Sequence, residues 1–346
     1  SISSSWIEGN RINAKRLAIA ELLGSGTRTA LDVVANVRAT EEAIALLADP
    51  EREITLGDIE ELQHVIEPSL ARGIRTEQNW VGGSGWSPLR AEFVPPPPED
   101  VPRLLHNLAA FISETSGNPI VRAAIAHAQF ETIHPFEDGN GRTGRALIHT
   151  TLRRADAVRN TLIPISTVFA GDTKSYISGL TSYRAIPARV DEWVIRFAEA
   201  TKLAAENAIR LAEYVTTLDA QLKEELIAYR REQGLSPVTP RRDAVVWSIL
   251  DTLSSEPVLT VETVTQKFNI SPTAATRALT QLAEAGILGR SKDHKGRLVC
   301  WTADKHLALI DLNERSNRVG GVDTSVRKPA LGPNLPDYKQ FGKLRG

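Results

Sequence analysis

Apolar residues recur at helical spacing along most of the chain upstream of residue 240. The i, i+3, i+4, i+7 pattern is clearest in residues 101–113 and 119–133, and Pro119 suits the first turn of the second segment. A further helical pattern, from residue 191 to 234, is long enough to bridge two domains. The pattern therefore predicts a mainly α protein.

The helical pattern is interrupted before residue 101. Three glycines, Gly82, Gly83 and Gly85, separate two extended pieces, and four consecutive prolines at 95–98 close the segment. This composition predicts a β-hairpin flap followed by a stiff connector.

A different plan begins after Gly234, Pro237 and Pro240, which mark a boundary. The pattern beyond it predicts three helices, near 243–254, 261–267 and 272–285, and two strands flanking a charged hairpin at 292–296. This order resembles a winged helix-turn-helix domain. The predicted domain plan is N-terminal helices and flap (1–95), a central helical core (96–205), connecting helix and linker (206–240), winged helix-turn-helix (241–312) and flexible tail (313–346).

The composition and net charge limit which binding partners and which cellular compartment the sequence predicts. A net charge of -1 gives no chain-wide attraction to nucleic acid or to an anionic membrane, so such binding requires a local patch. No apolar run approaches the roughly 20 residues of a membrane span. No secretory signal is visible and Cys300 is the single cysteine, which predicts a cytoplasmic protein without a membrane partner.

The stretch "IHPFEDGNGRTGRAL", residues 133–147, places a glycine-rich loop directly before a helix. Backbone N–H groups at such a helix start favour an anion. Gly139 and Gly141 permit the close backbone approach that this requires, and Asn140 adds an amide donor between them. Arg142 and Arg145, three residues apart, can clamp a polyphosphate. The residue types predict a phosphate-binding loop.

The same loop carries a base and an oxygen ligand. His134, with an ordinary pKa of about 6.5, can accept a proton near neutral pH, and Asp138 suits Mg²⁺. The alternative is a sharp surface turn, because "DGNG" is strong turn sequence, but the combination of groups disfavours that reading. The loop lacks the G-x-x-x-x-G-K-[ST] pattern of a P-loop, which disfavours an ordinary NTPase.

Residues 134–145, "HPFEDGNGRTGR", resemble the signature of Fic-domain proteins, H-x-F-x-[DE]-G-N-G-R-x-x-R, with every specified position filled. The resemblance extends over roughly residues 3–200. It implies a Fic-type helical bundle and the transfer of AMP from ATP to a Ser, Thr or Tyr hydroxyl of a target protein. Gly141 keeps the pattern of the AMP-transferring branch, whereas the Doc branch, which transfers the terminal phosphate, departs around this glycine.

The resemblance also implies a role for each residue of the signature. His134 would deprotonate the target hydroxyl, Phe136 would anchor the loop, and Asp138 would bind Mg²⁺. Arg145 would hold the γ phosphate of ATP, although the sequence leaves another nucleotide donor open. The anion hole for the α and β phosphates would be formed by Gly139, Asn140, Gly141 and Arg142.

Residues 75–83, "RTEQNWVGG", resemble the flap with which the family registers a target segment by strand addition. The alternative is a plain surface hairpin with a packed tryptophan. Tyr176 is a candidate neighbour of the adenine, with a core aromatic as the alternative. The flap residues assigned to target docking are Asn79, Trp80, Val81 and Gly82.

The start of the chain, "SSSWIEGN", resembles the family's inhibitory motif [ST]-x-x-x-E-[GN], with Ser4, Glu8 and Gly9 at its fixed positions. In that motif the glutamate occupies the place of the γ phosphate on the second arginine, here Arg145. This predicts an autoinhibited enzyme, in which Glu8 could also position a water to remove AMP. The alternative is an ordinary capped helix with a solvated Glu8.

The winged helix-turn-helix leaves a rival function open. Residues 241–312 hold nine Lys or Arg and eight Asp or Glu, so DNA binding through this domain competes with protein binding or homodimer formation. The rival to a protein adenylyltransferase is a DNA-binding transcriptional regulator that uses the Fic domain as a nucleotide sensor. His134 argues against it, because sensing a nucleotide requires no base. The other expected partner is a target protein, the protein itself included.

Overall fold

The computed structural model describes residues 12–82, 88–159 and 163–316, which divide into two compact units. Within the described residues, the first unit comprises residues 32–208, and the second combines residues 12–31 with residues 209–316. Residues 12–31 therefore differ from the predicted domain plan, which placed them with the N-terminal helices and the flap.

The described residues are mainly helical, as predicted. The helices are α1 (Ala14–Leu23), α2 (Arg28–Leu47), α3 (Leu56–Ile66), α4 (Val101–Ser113), α5 (Pro119–Ile133), α6 (Asn140–Arg154), α7 (Ile165–Gly171), α8 (Thr173–Arg184), α9 (Val190–Glu232), α10 (Val245–Leu250), α11 (Val261–Phe268), α12 (Pro272–Glu284) and α13 (Asp304–Ser316). The strands are β1 (Val258–Leu259), β2 (Gly289–Lys292) and β3 (Val299–Thr302). None of the described helices is both long and apolar enough to cross a bilayer.

Helices α5 and α6 form the centre of the first unit. The Asn118 side chain accepts hydrogen bonds from the backbone N–H groups of Ile120 (2.9 Å) and Val121 (3.2 Å), which fixes the start of α5. Both helices contribute to two apolar clusters, one shared with α2, α3 and α4 and the other with α7, α8 and α9. The residues at the α5–α6 junction are thereby held from several sides.

Gly144 permits the close approach of α6 to α5. A Cβ atom at this position would lie 2.9 Å from Glu131 Oε1, 3.0 Å from Phe130 Cδ1 and 3.1 Å from His127 Nδ1. A side chain there would push the two helices apart. The signature leaves this position open, but the packing in this chain favours glycine.

The predicted flap appears as an antiparallel bridge between Val81 and Phe93. The Val81 N–H donates to the Phe93 carbonyl (2.8 Å), and the Glu92 N–H donates to the Val81 carbonyl (2.9 Å). Residues 83–87, at the expected tip, lie outside the described residues.

The second unit contains a three-stranded antiparallel sheet of order β1-β3-β2 beside helices α10 to α13. The predicted strand pair corresponds to β2 and β3, whereas β1, of two residues, was not predicted. Helix α10 ends at Leu250, earlier than expected, and turns follow it. The winged-helix prediction is confirmed at the level of fold.

Helix α1 belongs to this second unit. Lys15 pairs with Asp304 (2.8 Å), and the Ala14 N–H donates to Asp311 Oδ1 (3.0 Å). Ser25 donates to Asp293, which also accepts from the backbone of the wing turn. These contacts join residues 268 to 297 positions apart in the sequence, so no local pattern could have predicted them.

Candidate active site

The candidate active site lies at the junction of α5 and α6. His134 caps the C-terminus of α5 in the left-handed conformation (φ +47°), and its N–H donates to the Phe130 carbonyl at 2.9 Å. Gly139 (φ +81°) precedes the first turn of α6. A left-handed histidine is uncommon and costs free energy, so the surrounding contacts must hold it in place.

Phe136 anchors the loop, as the resemblance implied. Its side chain is buried and lies 6.1 Å from Phe130, measured between ring centroids. Asn140 binds both backbone groups of Phe136: its Oδ1 accepts from the N–H (2.9 Å), and its Nδ2 donates to the C=O (2.8 Å). The buried backbone of Phe136 requires these partners, so the Asn140 amide is engaged within the loop, and its contact with a phosphate stays a prediction. The backbone N–H of Asn140 is the group left for an anion.

The two signature arginines have different surroundings. Arg142 forms an ion pair with Glu67, just after α3, and also lies 3.5 Å from the Ile66 carbonyl. Partial burial raises the pKa of Glu67, but hydrogen bonds from Ser69 and Arg142 and the Arg142 charge lower it overall. Arg145 is only 2% exposed. Of the two arginines expected to clamp a polyphosphate, Arg142 is held by a carboxylate and Arg145 is a buried residue of α6.

Asp138 is exposed at the edge of the loop. Its Oδ1 accepts from the Gly139 N–H (2.6 Å), and its backbone carbonyl accepts from Gln63 Nε2 (3.1 Å). No cluster of three or more His, Cys, Asp or Glu among the described residues could hold a metal ion alone. A single exposed carboxylate fits Mg²⁺, which usually takes one or two protein carboxylates together with water and substrate phosphates.

The imidazole of His134 is largely buried, and its Nδ1 lies 3.9 Å from Glu131 Oε2. Burial lowers the pKa of His134 to about 4, and the positive charges of Arg184 and Arg75 lower it further, against smaller raising effects from Glu131 and Asp138. The ordinary pKa expected from the sequence is thus shifted downward. His134 is neutral at pH 7 and can accept a proton.

Tyr176 lies in the aromatic core rather than on an open surface. It is 7% exposed, its hydroxyl lies 2.9 Å from His127 Nε2, and its ring stacks on Phe169 at 4.6 Å. These neighbours place Tyr176 in the core, which was the alternative to an adenine neighbour, and a role beside the adenine stays a prediction.

The flap residues have separate environments. Asn79 donates to the Phe136 carbonyl at 3.0 Å, so it supports the loop from outside the signature. Trp80 and Val81 are partly buried and Gly82 is exposed. The inhibitory-motif residues Ser4, Glu8 and Gly9 lie outside the described residues.

Sequence reasoning missed Arg75, Gln63, Glu67 and Arg184 as neighbours of the loop. Arg184, at the end of α8, donates to the Glu131 carbonyl (2.7 Å) and covers the Phe93 ring at 4.0 Å. Arg75 opens the flap motif, but that motif did not indicate a contact with the loop, and the other three residues lie in no motif. Their proximity to the loop arises from tertiary packing.

The helical unit and its loop define a Fic-type domain. Residues 53–152 match the model of the Fic/DOC family, and residues 244–297 match the model of the MarR family. The chain is therefore a Fic/DOC domain protein with a C-terminal MarR-type winged-helix domain.

The similar proteins include several protein adenylyltransferases. The chain is 28% identical over 196 residues to "Protein adenylyltransferase fic-1" of Caenorhabditis elegans, an alignment covering 53% of this chain and 37% of that protein. It is 38% identical over 110 residues to "Protein adenylyltransferase Fic" of Drosophila grimshawi, covering 30% of this chain and 21% of that protein. The chain thus spans about a third or less of the length of these two relatives.

A solved structure supports the fold. The crystal structure of a Fic family protein from Desulfovibrio desulfuricans G20 superposes with a TM-score of 0.50 at 20% identity. The alignment covers 87% of this chain and 84% of that chain. At this identity the similarity concerns the fold alone.

Proposed function

We propose that the protein transfers AMP from ATP to a hydroxyl side chain of a target protein. The observation that carries this proposal is the neutral, largely buried imidazole of His134 fixed beside the N-terminus of α6. The first-turn N–H groups of a helix have no intrahelical acceptor and favour phosphate oxygens. A base and a phosphate-binding helix start thus lie within one short loop, and the similarity to protein adenylyltransferases supplies the reaction class.

In the proposed reaction His134 accepts the proton of the target hydroxyl. The hydroxyl oxygen forms a bond to the α phosphorus of ATP, the bond from that phosphorus to the bridging oxygen breaks, and pyrophosphate leaves with its electron pair. The backbone of Gly139, Asn140 and Gly141 would orient the α and β phosphates, and Asp138 would hold Mg²⁺, which neutralises phosphate charge when bound. Positioning and charge neutralisation account for most catalysis of this kind.

The ion pair between Arg142 and Glu67 bears on the same site. A bound phosphate would compete with the Glu67 carboxylate for the Arg142 guanidinium, so Arg142 would have to exchange or share partners when ATP binds.

Target docking would use the segment 79–82, which already forms an antiparallel bridge with Phe93 through Val81.

The reaction class is tested with ATP labelled at either the α or the γ phosphate. Transfer of AMP places the α label on protein and leaves the γ label in pyrophosphate. Labelling of protein from γ-labelled ATP instead would indicate phosphoryl transfer and contradict the proposal. A parallel incubation with α-labelled UTP tests the donor nucleotide, and cell lysate supplies candidate targets.

We further propose that Glu8 inhibits the enzyme by competing with the γ phosphate for Arg145. Glu8→Gly is expected to raise self-labelling from α-labelled ATP by about tenfold or more, since the loss of one charge-assisted contact to arginine corresponds to about 1.5–3 kcal/mol. Glu21→Gly is the matched control, because Glu21 is an exposed glutamate of α1. Equal self-labelling by the wild type and Glu8→Gly would contradict the inhibitory role. If Glu8 also positions a water, Glu8→Gly should slow the loss of AMP from labelled protein.

A second function, DNA-dependent regulation, is favoured by the match of residues 244–297 to the MarR family. The wing carries the basic side chains Lys292, Lys295 and Arg297, and these are expected to contact phosphates. Replacing all three with glutamine should weaken retardation of duplex DNA at least tenfold and reduce the salt dependence of binding. Retardation unaffected by these changes would assign the domain to protein contacts instead.

A further inference from the structure

Arg75 is a buried cation that contacts the catalytic loop from outside the signature. It is 3% exposed, and its Nε donates to the His134 carbonyl at 2.9 Å. Its terminal nitrogens reach the carbonyls of Ile133 (3.4 Å), Glu77 (3.2 Å) and Pro96 (2.5 Å). Its backbone N–H donates to the Pro135 carbonyl at 2.8 Å. The Arg75 side chain thus joins the loop that carries His134 to the residues before and after the flap bridge, at Glu77 and Pro96.

These partners are unusual for a buried charge. Among the described residues, Arg75 has hydrogen bonds to carbonyl oxygens and no ion pair with a carboxylate. Burying a cation without a counter-ion costs free energy that neutral acceptors offset only in part. Burial accordingly lowers the pKa of Arg75. Burying Arg75 therefore costs stability. In return, its hydrogen bonds fix the backbone at His134, a left-handed residue that needs external support.

The charged groups that face the His134 imidazole come from four places in the first unit. Arg75 is the first residue of the flap motif, Arg184 ends α8, Glu131 lies one turn back on α5, and Asp138 lies in the loop. The two arginines disfavour a proton on His134, whereas a hydrogen bond with the Glu131 backbone and the charge of Asp138 favour it. Removing Arg75 therefore changes both the support of the loop and the balance of charge at the base.

We propose that Arg75 is the positioning residue of the catalytic loop, which fixes the backbone of Ile133 and His134 and links it to the flap through Glu77 and Pro96. Arg75 does not itself touch the reacting atoms in this role. The kinetic part rests on the proposed AMP transfer, whereas the positioning of His134 can be measured without it.

Arg154 offers a matched control for a purely structural role. It is also 3% exposed, and its guanidinium donates to the carbonyls of Leu47, Asp49, Pro50, Arg52 and Ser113. It ends α6, 14 positions after Asn140, so about 21 Å of helix separates it from the loop. Substitutions of Arg75 and Arg154 remove similar numbers of hydrogen bonds. Those of Arg75 lie near the loop that precedes α6, whereas those of Arg154 lie at the C-terminal end of α6.

The test compares Lys and Gln substitutions at both arginines. Steady-state labelling gives kcat and the KM for ATP of the folded fraction, and NMR of histidine-labelled protein, assigned with His134→Ala, gives the titration of His134. Arg75→Lys should lower kcat about 10- to 100-fold with KM for ATP within about twofold, because loss of the planar fork misplaces the base. Arg75→Gln should lower kcat as much and move the titration of His134 from about 4 toward its ordinary value. Arg154→Lys and Arg154→Gln should lower the melting temperature and leave kcat and the His134 titration unchanged.

Three results would contradict the positioning role of Arg75. An unchanged kcat in Arg75→Lys, or an equal shift of the His134 titration in Arg154→Gln, would overturn the positioning role. If Arg75→Gln does not fold, Arg75→Lys carries the kinetic test and its His134 resonance reports the local environment. If the wild type labels no protein, the proposed function fails, while an unshifted His134 titration in Arg75→Gln would by itself overturn this inference.

Discussion

His134→Ala is expected to lower the rate of AMP transfer by about 10²- to 10⁴-fold, the usual contribution of a positioned base. The imidazole is neutral at pH 7 because burial and two nearby arginines oppose its protonation. Since His134 does not hold the phosphates in the proposed reaction, the KM for ATP should change little. The measurement is incorporation of label from α-labelled ATP into protein, with nucleotide binding followed separately.

His106→Ala is the control, because His106 is exposed on α4. It should retain the wild-type rate. A wild-type rate in His134→Ala would assign the base to another group. Retention of nucleotide binding together with loss of labelling is the result that distinguishes an enzyme from a nucleotide sensor. The pH dependence of kcat/KM should show no acidic limb from His134 until the pH approaches 4.

The second large expected effect is a loss of stability in mild acid. Burial lowers the pKa of His127 to about 3 and those of His134 and His149 to about 4. In the unfolded chain the same histidines titrate near 6.5. Below that pH the unfolded state binds protons that the folded state does not, so their contribution to stability is complete above about 6.5 and falls as pH decreases toward 4.

The size of this effect follows from proton linkage. Each histidine that stays neutral only in the folded state removes about 1.4 kcal/mol from the free energy of unfolding per pH unit. Three together remove about 4 kcal/mol per unit, against a typical total stability of about 5–15 kcal/mol. Urea titrations between pH 7.5 and 4.5 measure the slope. Asp58 and Glu67, whose pKa values are lowered from 3.8 and 4.5, lose their contribution mainly below this window.

His149→Gln isolates one of the three histidines. His149 is buried on α6, away from the proposed chemistry, and Gln does not titrate in this range. The variant should reduce the slope by about one third, whatever its effect on stability at pH 7.5. His106→Gln is the matched exposed control and should retain the full slope. An unchanged slope in His149→Gln would show that His149 is protonated in the folded protein.

Local sequence determined much of the helical framework. The bounds of α4 and α5 agree with the predicted 101–113 and 119–133, because an apolar stripe, an Asn cap and a proline in the first turn act over a few residues. The same holds for α11 and α12 within one residue. The order of residues in the loop likewise indicated a base beside a helix start. The target-docking and inhibitory roles stay predictions.

Tertiary structure decided which residues surround that loop and what state its base adopts. Arg75, Glu67 and Arg184 reach the loop from three other elements, and the burial that lowers the pKa of His134 exists only once those elements pack. Packing likewise buried Tyr176 and joined α1 to the second unit. The sequence by itself determined the helices and the chemical groups of the loop, because periodicity, capping and residue type are local. Burial, charge environment and long-range pairing depend on residues far apart in the chain, and only the folded arrangement brings them together.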